Sequence, residues 1–488
     1  MPHVTRSRIL ATMGPACSSP SQIRQAIQAG ANAFRLNMSH GDEATRRRWV
    51  RHVKRARKEL GRPVSILVDL RGPRIRLGHL DAERELKTGS EVVVVSGARP
   101  RRKDVLPIDY RHLLKDVGPG ERILIRDGRI ELKVLAVEGK SLRCKVKQGG
   151  KLRSTQGVNL PDSKVSAPAL SAKDRADIRF AIDEGADWLA LSFVRSAADI
   201  AAVRRELRKC DIAMPIVAKI EHPLGIENLD EILDASNGVM VARGDLAVEM
   251  GLAAVPMLQK RIVAAAIRRA IPVIVATQML ESMIDEAIPT RAEVSDVANA
   301  VLDGADCLML SGETAVGSFP IESIRVMRKI ASTTEAGQFD GRWRLRPALR
   351  PHGGLGEGSA EMATVNAAVY AAHQSHAKLI LAFTESGRSA RLVSSFRSAL
   401  PMVALTSSER SFHRMALFWG VQAGRIPKVR RIREMNRLAT ELLEKRRLLR
   451  AEDKMVTLTG TFNVSGATNT VRIIHFAQLS EQDSSKKS

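Results

Sequence analysis

Aromatic residues are scarce, with Phe, Trp and Tyr together forming 3% of the 488 residues. Single-strand nucleic-acid binders stack bases on aromatic rings, so that partner is disfavoured. No zinc-finger, KH, RNP or basic-zipper pattern offers another route to nucleic acid. Cysteine is also rare. Cys17, Cys144, Cys210 and Cys307 lie far apart and form no C-x-x-C pair. This excludes a disulfide framework and disfavours a structural zinc site. It fits inert thiols in a reducing compartment. No run of eighteen apolar residues occurs, so no membrane-spanning helix is expected. The start, MPHVTRSRILATMG, has neither an apolar core segment nor a small-residue cleavage site. No signal peptide is expected, and a cytoplasmic location is.

Acidic residues are outnumbered. Seventy-seven Lys and Arg face fifty-three Asp and Glu, giving a formal net charge of +24. Such a field favours anionic partners, phosphorylated metabolites among them. A solvated basic surface would give the same composition.

Apolar residues make up 44% of the chain, enough for large cores, and its length suits two to four domains. Short runs of Val, Ile, Leu and Ala recur at 9–14, 33–39, 65–70, 188–194, 215–221, 238–245, 272–278 and 307–314. Nearly continuous apolar runs of this length predict buried parallel strands. Helical spacing fills most of the gaps. One helix is marked by Ser19-Pro20 at its start, a face of Ile23, Ala26 and Ile27, and Gly30 at its end. Eight such strands predict an α/β fold, a (β/α)8 TIM barrel.

The gap between Leu70 and Trp188 is too long for one helix. It holds EVVVVSG and RILIRDGRIELKVLAV, with Asp127-Gly128 as a hairpin turn. We read it as a small β-barrel domain at 77–158, inserted over the barrel mouth as a lid. The barrel then takes 1–76 and 159–338. Residues 339–360, rich in Gly, Arg and Pro, read as a linker. A second α/β domain follows at 361–478, with strands at 379–384, 402–406, 455–459 and 471–476 and basic helical sequence over 425–450. The polar tail, 479–488, is expected to be disordered.

Barrel enzymes carry their chemistry at the C-terminal ends of strands. The second run ends in RLNMSHG, giving Arg35, Asn37, Ser39 and His40. The third ends in DLRGPRIR, with Asp69, Arg71, Arg74 and Arg76. Later ends supply Lys219 and Glu221, then Arg243, Gly244 and Asp245, then Thr277, then Ser311 and Glu313. Glu221 and Asp245 suit a hard divalent cation. Lys219, Arg35 and Arg76 suit the charge of a phosphoryl group in transfer. Gly244 allows close approach of backbone N–H groups to a small carboxylate. Singly, each of these is commonplace. An i, i+2 Lys/Glu pair is usually a surface ion pair and R-G-D usually a turn. Their joint placement at successive strand ends carries the reading.

These strings resemble the pyruvate kinase family over nearly the whole chain. The segments are KIEHPLGIENLDEILDASNGVMVARGDLAVEM, ATQMLESMI, PTRAEVSDVANAVLDGADCLMLSGETA, RLNMSHG and GVNLP with PALSAKD. The resemblance implies Mg²⁺-dependent phosphoryl transfer from phosphoenolpyruvate to ADP, giving pyruvate and ATP in the last step of glycolysis. It implies that Lys219 stabilises the phosphoryl group and that Glu221 and Asp245 hold Mg²⁺ or Mn²⁺. Arg35 would contact phosphate. Arg243, Gly244 and Thr277 would bind the substrate carboxylate, with Thr277 near the path of enolate protonation. Arg76 and Lys173 would contact nucleotide phosphates, Asn37 and His40 would lie at the nucleotide site, and Ser192 would line the floor. A homotetramer is implied, with a regulatory C-terminal domain.

The third-strand motif departs from the family's D-T-K-G-P-E-I-R, whose Asp and Thr help ligate K⁺. Here Leu70 offers no side-chain oxygen, and Arg74 puts a cation where the family has Glu. This resembles the minority of members that do not need K⁺, so K⁺-independent activity is expected. The alternative leaves Arg74 in solvent and K⁺ on Asn37, Ser39 and Asp69. In the C-terminal domain, Thr384, Ser386, Gly387, Arg388 and Ser389 resemble the family's effector loop for a sugar phosphate, with 465–470 closing over it. The effector, a sugar phosphate, AMP or none, is left open, and Glu385 within the loop counts against a phosphate. Two rival readings are another Mg²⁺-dependent phosphoenolpyruvate or oxoacid barrel enzyme and a non-catalytic basic paralogue.

Overall fold

The structure, a computed structural model, describes residues 5–99, 105–339, 359–429, 431–460 and 468–477. The linker expected at 339–360 and the polar tail fall almost wholly outside these residues.

Eight parallel strands close into a barrel. In chain order they are Arg8–Thr12, Ala33–Asn37, Ser65–Asp69, Trp188–Leu191, Ile216–Ile220, Gly238–Ala242, Val273–Ala276 and Cys307–Leu310. The eighth returns to the first, with Arg8 opposite Cys307 and Leu10 opposite Met309. Strand side chains alternate in direction. Ile9, Ala11, Phe34, Leu36, Ile66, Val68, Ile216, Ala218 and Ile220 pack outward with the helices. Leu10, Ala33, Leu67, Val217 and Met240 fall in a second core. Two residues on from four of these stand Thr12, Arg35, Asp69 and Lys219. The same alternation that gives the barrel an apolar interior therefore gives it a polar top.

The first helix, Pro20–Ala29, starts on a capping box. Ser19 accepts from the Gln22 N–H, the Gln22 side chain accepts from Ser19, and Gly30 ends the helix at φ 132°. Its buried face is Ile23, Ala26 and Ile27.

Between the third and fourth strands the chain leaves the barrel and builds a seven-stranded sheet. Its edges are Ile75–Arg76 and Val105–Ile108, and a bridge from Leu77 to Ile108 brings them together into a small barrel. Ile75–Arg76 pairs with Gly157–Val158, so the inserted sheet begins two residues before 77. Arg126, Asp127 and Gly128 all have positive φ at the hairpin turn. Its core includes Val94, Leu106, Ile123, Leu132 and Leu142.

The C-terminal domain holds a five-stranded sheet in the order Val421–Arg425, Met402–Thr406, Leu379–Phe383, Lys454–Gly460, Thr468–His475. The first of these was missed in sequence, where its last residue was assigned to a helical stretch from 425. The strand reads VQAGR, an edge segment with no continuous apolar run. The helix itself is shorter, Ile432–Lys445. The second core runs from the barrel interior into this domain, joining Leu10, Leu67 and Val217 to Val365, Ile380, Ala404 and Leu417. No helix among the described residues is long and apolar enough to cross a membrane.

Candidate active site at the barrel mouth

Lys219 is the centre of the polar layer. It is 7% exposed, and its Nζ donates to Ser192 Oγ at 2.7 Å. It pairs with Glu221 Oε1 at 2.9 Å and Asp69 Oδ1 at 3.3 Å. Burial alone would lower its pKa, but Asp69 and then Glu221 overcome this and raise it, so the ammonium is fixed as a cation. Asp69 also takes Arg35 Nε at 2.6 Å. Burial works to raise the Asp69 pKa, and Lys219 and Arg35 hold it below the usual value. Arg35 reaches Thr12 Oγ1 at 3.3 Å, a residue that sequence reasoning did not single out. Ser192 donates to the Leu70 carbonyl at 2.8 Å, tying the floor to the end of the third strand.

Glu221 is 1% exposed and accepts the Phe193 N–H at 2.7 Å on Oε2. Its Oε1 has no hydrogen-bond partner among the described residues and meets only the Lys219 ammonium. Burial first, with Asp245 adding repulsion, pushes its pKa up to about 7, against the pull of Lys219. Asp245 is half-buried in the first turn of the helix Arg243–Met250. Two mutually repelling carboxylates, one of them buried with a single ammonium against its Oε1, are the donor set a divalent cation would relieve.

Thr277 and Gln278 end the seventh strand at φ 71° and 52°. Positive φ is strained for a β-branched residue and is tolerated where surrounding structure fixes it. Here Thr277 Oγ1 donates to the Ala276 carbonyl at 2.6 Å and accepts the Gly244 N–H at 2.8 Å. Gly244 and Thr277 are thus brought together. A Cβ on Gly244 would meet Thr277 Oγ1 at an ordinary 3.5 Å, so its lack of a side chain is not forced by protein packing.

Arg243 is already partnered within the protein. It is 8% exposed, and its guanidinium donates to the Thr277 and Gln278 carbonyls and pairs with Asp296 at 2.7 Å. Its side chain is a brace between strand ends rather than a free carboxylate ligand. Arg74 stands where the alternative reading put it, exposed. It lies on the wall of a cavity of about 150 Å³ beside Asp127, Asp245 and Glu249, while the charges that balance Asp69 come from Arg35 and Lys219. Leu70 is buried, and Asn37 Oδ1 accepts the Ser39 N–H at 3.1 Å.

The expected nucleotide residues sit farther out. Arg76 donates to the Thr155 carbonyl at 3.1 Å, within the insert. Burial, with Arg71 and Arg74 nearby, lowers its pKa. Lys173 pairs with Asp177 at 2.5 Å on its own helix, and His40 is exposed. Sequence reasoning also missed His222 and Glu249, both buried on the cavity wall. Spacing could have found Glu249, one helical turn after Asp245.

In the C-terminal domain, Gly387 at φ 83° precedes the helix Arg388–Ser395, and its N–H donates to Thr384 Oγ1 at 3.0 Å. Arg388 pairs with Glu361, Ser389 meets Thr468 Oγ1, and Ser386 is exposed. Glu385 accepts from Ser407 at 2.8 Å. Residues 465–467 of the expected closing segment lie outside the described residues.

A parallel barrel with cations and carboxylates gathered at its C-terminal mouth defines an enzyme that handles a phosphorylated anion. Comparison with known proteins narrows this. Residues 4–324 match the family described as "Pyruvate kinase, barrel domain", and 362–474 match "Pyruvate kinase, alpha/beta domain". The chain is 40% identical over 478 residues to pyruvate kinase 2 of Synechocystis, spanning 97% of this chain and 79% of that one. It is 38% identical to a pyruvate kinase of Mycobacterium tuberculosis over 98% of this chain and 99% of that one. The crystal structure of a pyruvate kinase from Cryptosporidium parvum superposes with a TM-score of 0.90 at 32% identity, covering 96% of each chain. The chain belongs to the pyruvate kinase family and is a phosphotransferase of glycolysis.

Proposed function

We propose that the mouth transfers a phosphoryl group from phosphoenolpyruvate to ADP around the fixed ammonium of Lys219. The observation that carries this reading is Lys219 itself, buried and bound by Asp69, Glu221 and Ser192. A cation held in place before the reaction stabilises developing phosphoryl charge without reorganising. Arg35, braced by Asp69 and Thr12, adds a second positive charge on the same floor. The Gly244 N–H and Thr277 hydroxyl lie where the substrate carboxylate would be bound, and Thr277 stands near the path that protonates the enolate. Glu221 and Asp245 would hold Mg²⁺ or Mn²⁺, which supplies charge neutralisation and orientation when bound. Arg76, Lys173, Asn37 and His40 form the nucleotide side, and the insert, 77–158, closes as a lid that excludes water.

The same reading makes K⁺ unnecessary without help from the exposed Arg74. Leu70 offers no oxygen, and Asp69 is already paired with two cations. The loop from Thr384 to Ser389 is the candidate effector site of the C-terminal domain, with a sugar phosphate, AMP or no effector left open. A cytoplasmic homotetramer completes the proposal. Exposed Leu252, Met257 and Ile288 on the barrel and Tyr370 and Ile473 on the C-terminal domain offer apolar surface for the subunit contacts.

The test is pyruvate release from phosphoenolpyruvate, ADP and Mg²⁺ in a potassium-free buffer, then with K⁺ added. Equal activity in both, absent from Lys219→Met, is expected. Activity only with K⁺ would keep the enzyme and reject the reading of Asp69 and Leu70. Folded protein inactive in both would reject the assignment of roles.

A further inference from the structure

The helix that carries Asp245, Arg243–Met250, is fixed at both ends. At its start Arg243 is bound to Asp296 and to the Thr277 and Gln278 carbonyls, all on the barrel. Near its end Glu249, 4% exposed, accepts from Asn159 Nδ2 at 2.7 Å. Asn159 closes the strand Gly157–Asn159, by which the chain leaves the insert. It belongs mechanically to the lid, because Val158 and Asn159 pair with Ile125 and Leu124 of the inserted sheet. Arg122 of that neighbouring strand also binds Asp162, just beyond Asn159, through Nε at 2.9 Å and Nη2 at 2.8 Å.

A buried carboxylate is expensive to desolvate, and Glu249 Oε2 has no hydrogen-bond partner among the described residues. Packing alone would be served better by an apolar side chain. What the carboxylate adds is a directed bond to the lid's exit strand. Asp245 and Glu249 are four residues apart and so share a helix face, one 5.4 Å turn from each other. Both line the cavity of about 150 Å³ between insert and barrel.

We propose that Glu249 is a positioning residue whose hydrogen bond to Asn159 latches the lid's exit strand to the helix bearing Asp245, so that lid position sets the placement of that carboxylate. The proposal rests on the reading of Asp245 as a divalent-cation ligand. The latch acts on cation affinity and lid order, and leaves the chemistry at Lys219 untouched.

The experiment is a double-mutant cycle read by Mn²⁺ titration calorimetry on the full-length protein, with protease sensitivity of the insert as a second readout. Glu249→Ala and Asn159→Ala should each weaken Mn²⁺ binding roughly tenfold, the scale of one charge-assisted hydrogen bond. Each should also speed cleavage within the insert. The double variant should be no worse than either single, because both remove the same bond. Glu249→Gln, which keeps an acceptor for Asn159, should bind Mn²⁺ close to normally. A purely structural role would lower thermal stability without this pattern. Unchanged Mn²⁺ affinity, multiplied losses in the double variant, or a Gln variant as weak as Ala would each overturn the latch. Should Glu249→Ala fail to fold, Asn159→Ala and Glu249→Gln decide by the same criteria. Mn²⁺ affinity unchanged in Asp245→Asn would instead overturn the reading of Asp245 on which the latch rests.

Discussion

Without the Lys219 ammonium, Asp69 and Glu221 would face each other buried, with Arg35 as the remaining cation in contact. Like charges in a buried site force one carboxyl toward its neutral form. Lys219→Met should therefore lose catalysis and gain a bound proton. We expect kcat to fall by roughly a thousandfold, the scale of losing a preorganised charge, while the far-ultraviolet circular dichroism stays native. A residual activity within tenfold of wild type would mean that another cation serves the transferring group. These partners are far apart in sequence, yet each ends its strand on the inward side of the pleat. The alternation of side chains brings them to one layer.

At the scale of elements, the exits of the strands do the positioning. Gly72, between the third strand and the lid, has φ +70°, and a Cβ there would lie 3.0 Å from the Cβ of Ser192. Gly72→Ala should cost about 1–2 kcal/mol from the left-handed backbone alone. It should also displace Ser192 from Lys219, so activity should fall further than stability does. Denaturant titration beside steady-state kinetics separates the two. An alanine variant with full activity would show that the exit turn has slack. The sequence marked this turn as a motif, D-L-R-G-P-R, without revealing that its glycine packs on Ser192. It marked the first helix more completely, because a capping box and a glycine stop are local interactions.

At the scale of the whole molecule, the C-terminal domain is clamped to the closed bottom of the barrel by buried polar contacts. Arg397 grips Asp306 at 3.0 and 2.8 Å and adds the Gly304 carbonyl at 2.8 Å. Arg397→Met would leave the buried Asp306 without its ion-pair partner, holding the Val273 and Trp419 N–H groups with Arg8 nearby. A loss of about 3–5 kcal/mol is expected for breaking a buried pair on one side. Calorimetry should show the two domains melting apart, and a single unshifted transition would contradict the clamp. His413 makes a second contact, its Nδ1 accepting the Val64 N–H at 3.2 Å. Burial above all, then Arg57 and Arg425, lowers its pKa to about 3. Because the folded value lies below the unfolded one, the unfolded chain takes up the proton first. This contribution is complete above the unfolded pKa and is lost as pH falls toward 3. Between about pH 8 and 5 the wild type should lose about 2 kcal/mol that a His413→Asn variant, whose amide oxygen can still accept from Val64, should not lose. Parallel pH profiles of the two proteins would show that His413 titrates as it does in the unfolded chain.

Eight apolar runs, an overlong third interval and a second α/β stretch were legible in the sequence, because buried strands and helix caps are written in consecutive residues. The chemistry at strand ends was legible for the same reason, since a parallel barrel delivers every C-terminal end to one mouth. The edge strand Val421–Arg425 was not, because its residues, VQAGR, include Gln, Gly and Arg and form no continuous apolar run. The use of Arg243 as a brace, the seat of Arg74 on the cavity wall and the bond between Glu249 and Asn159 were decided only in three dimensions. The sequence by itself determined which groups would reach the mouth. The tertiary structure decided which of them are already paired, because pairing depends on distances between strands and domains that no local pattern encodes.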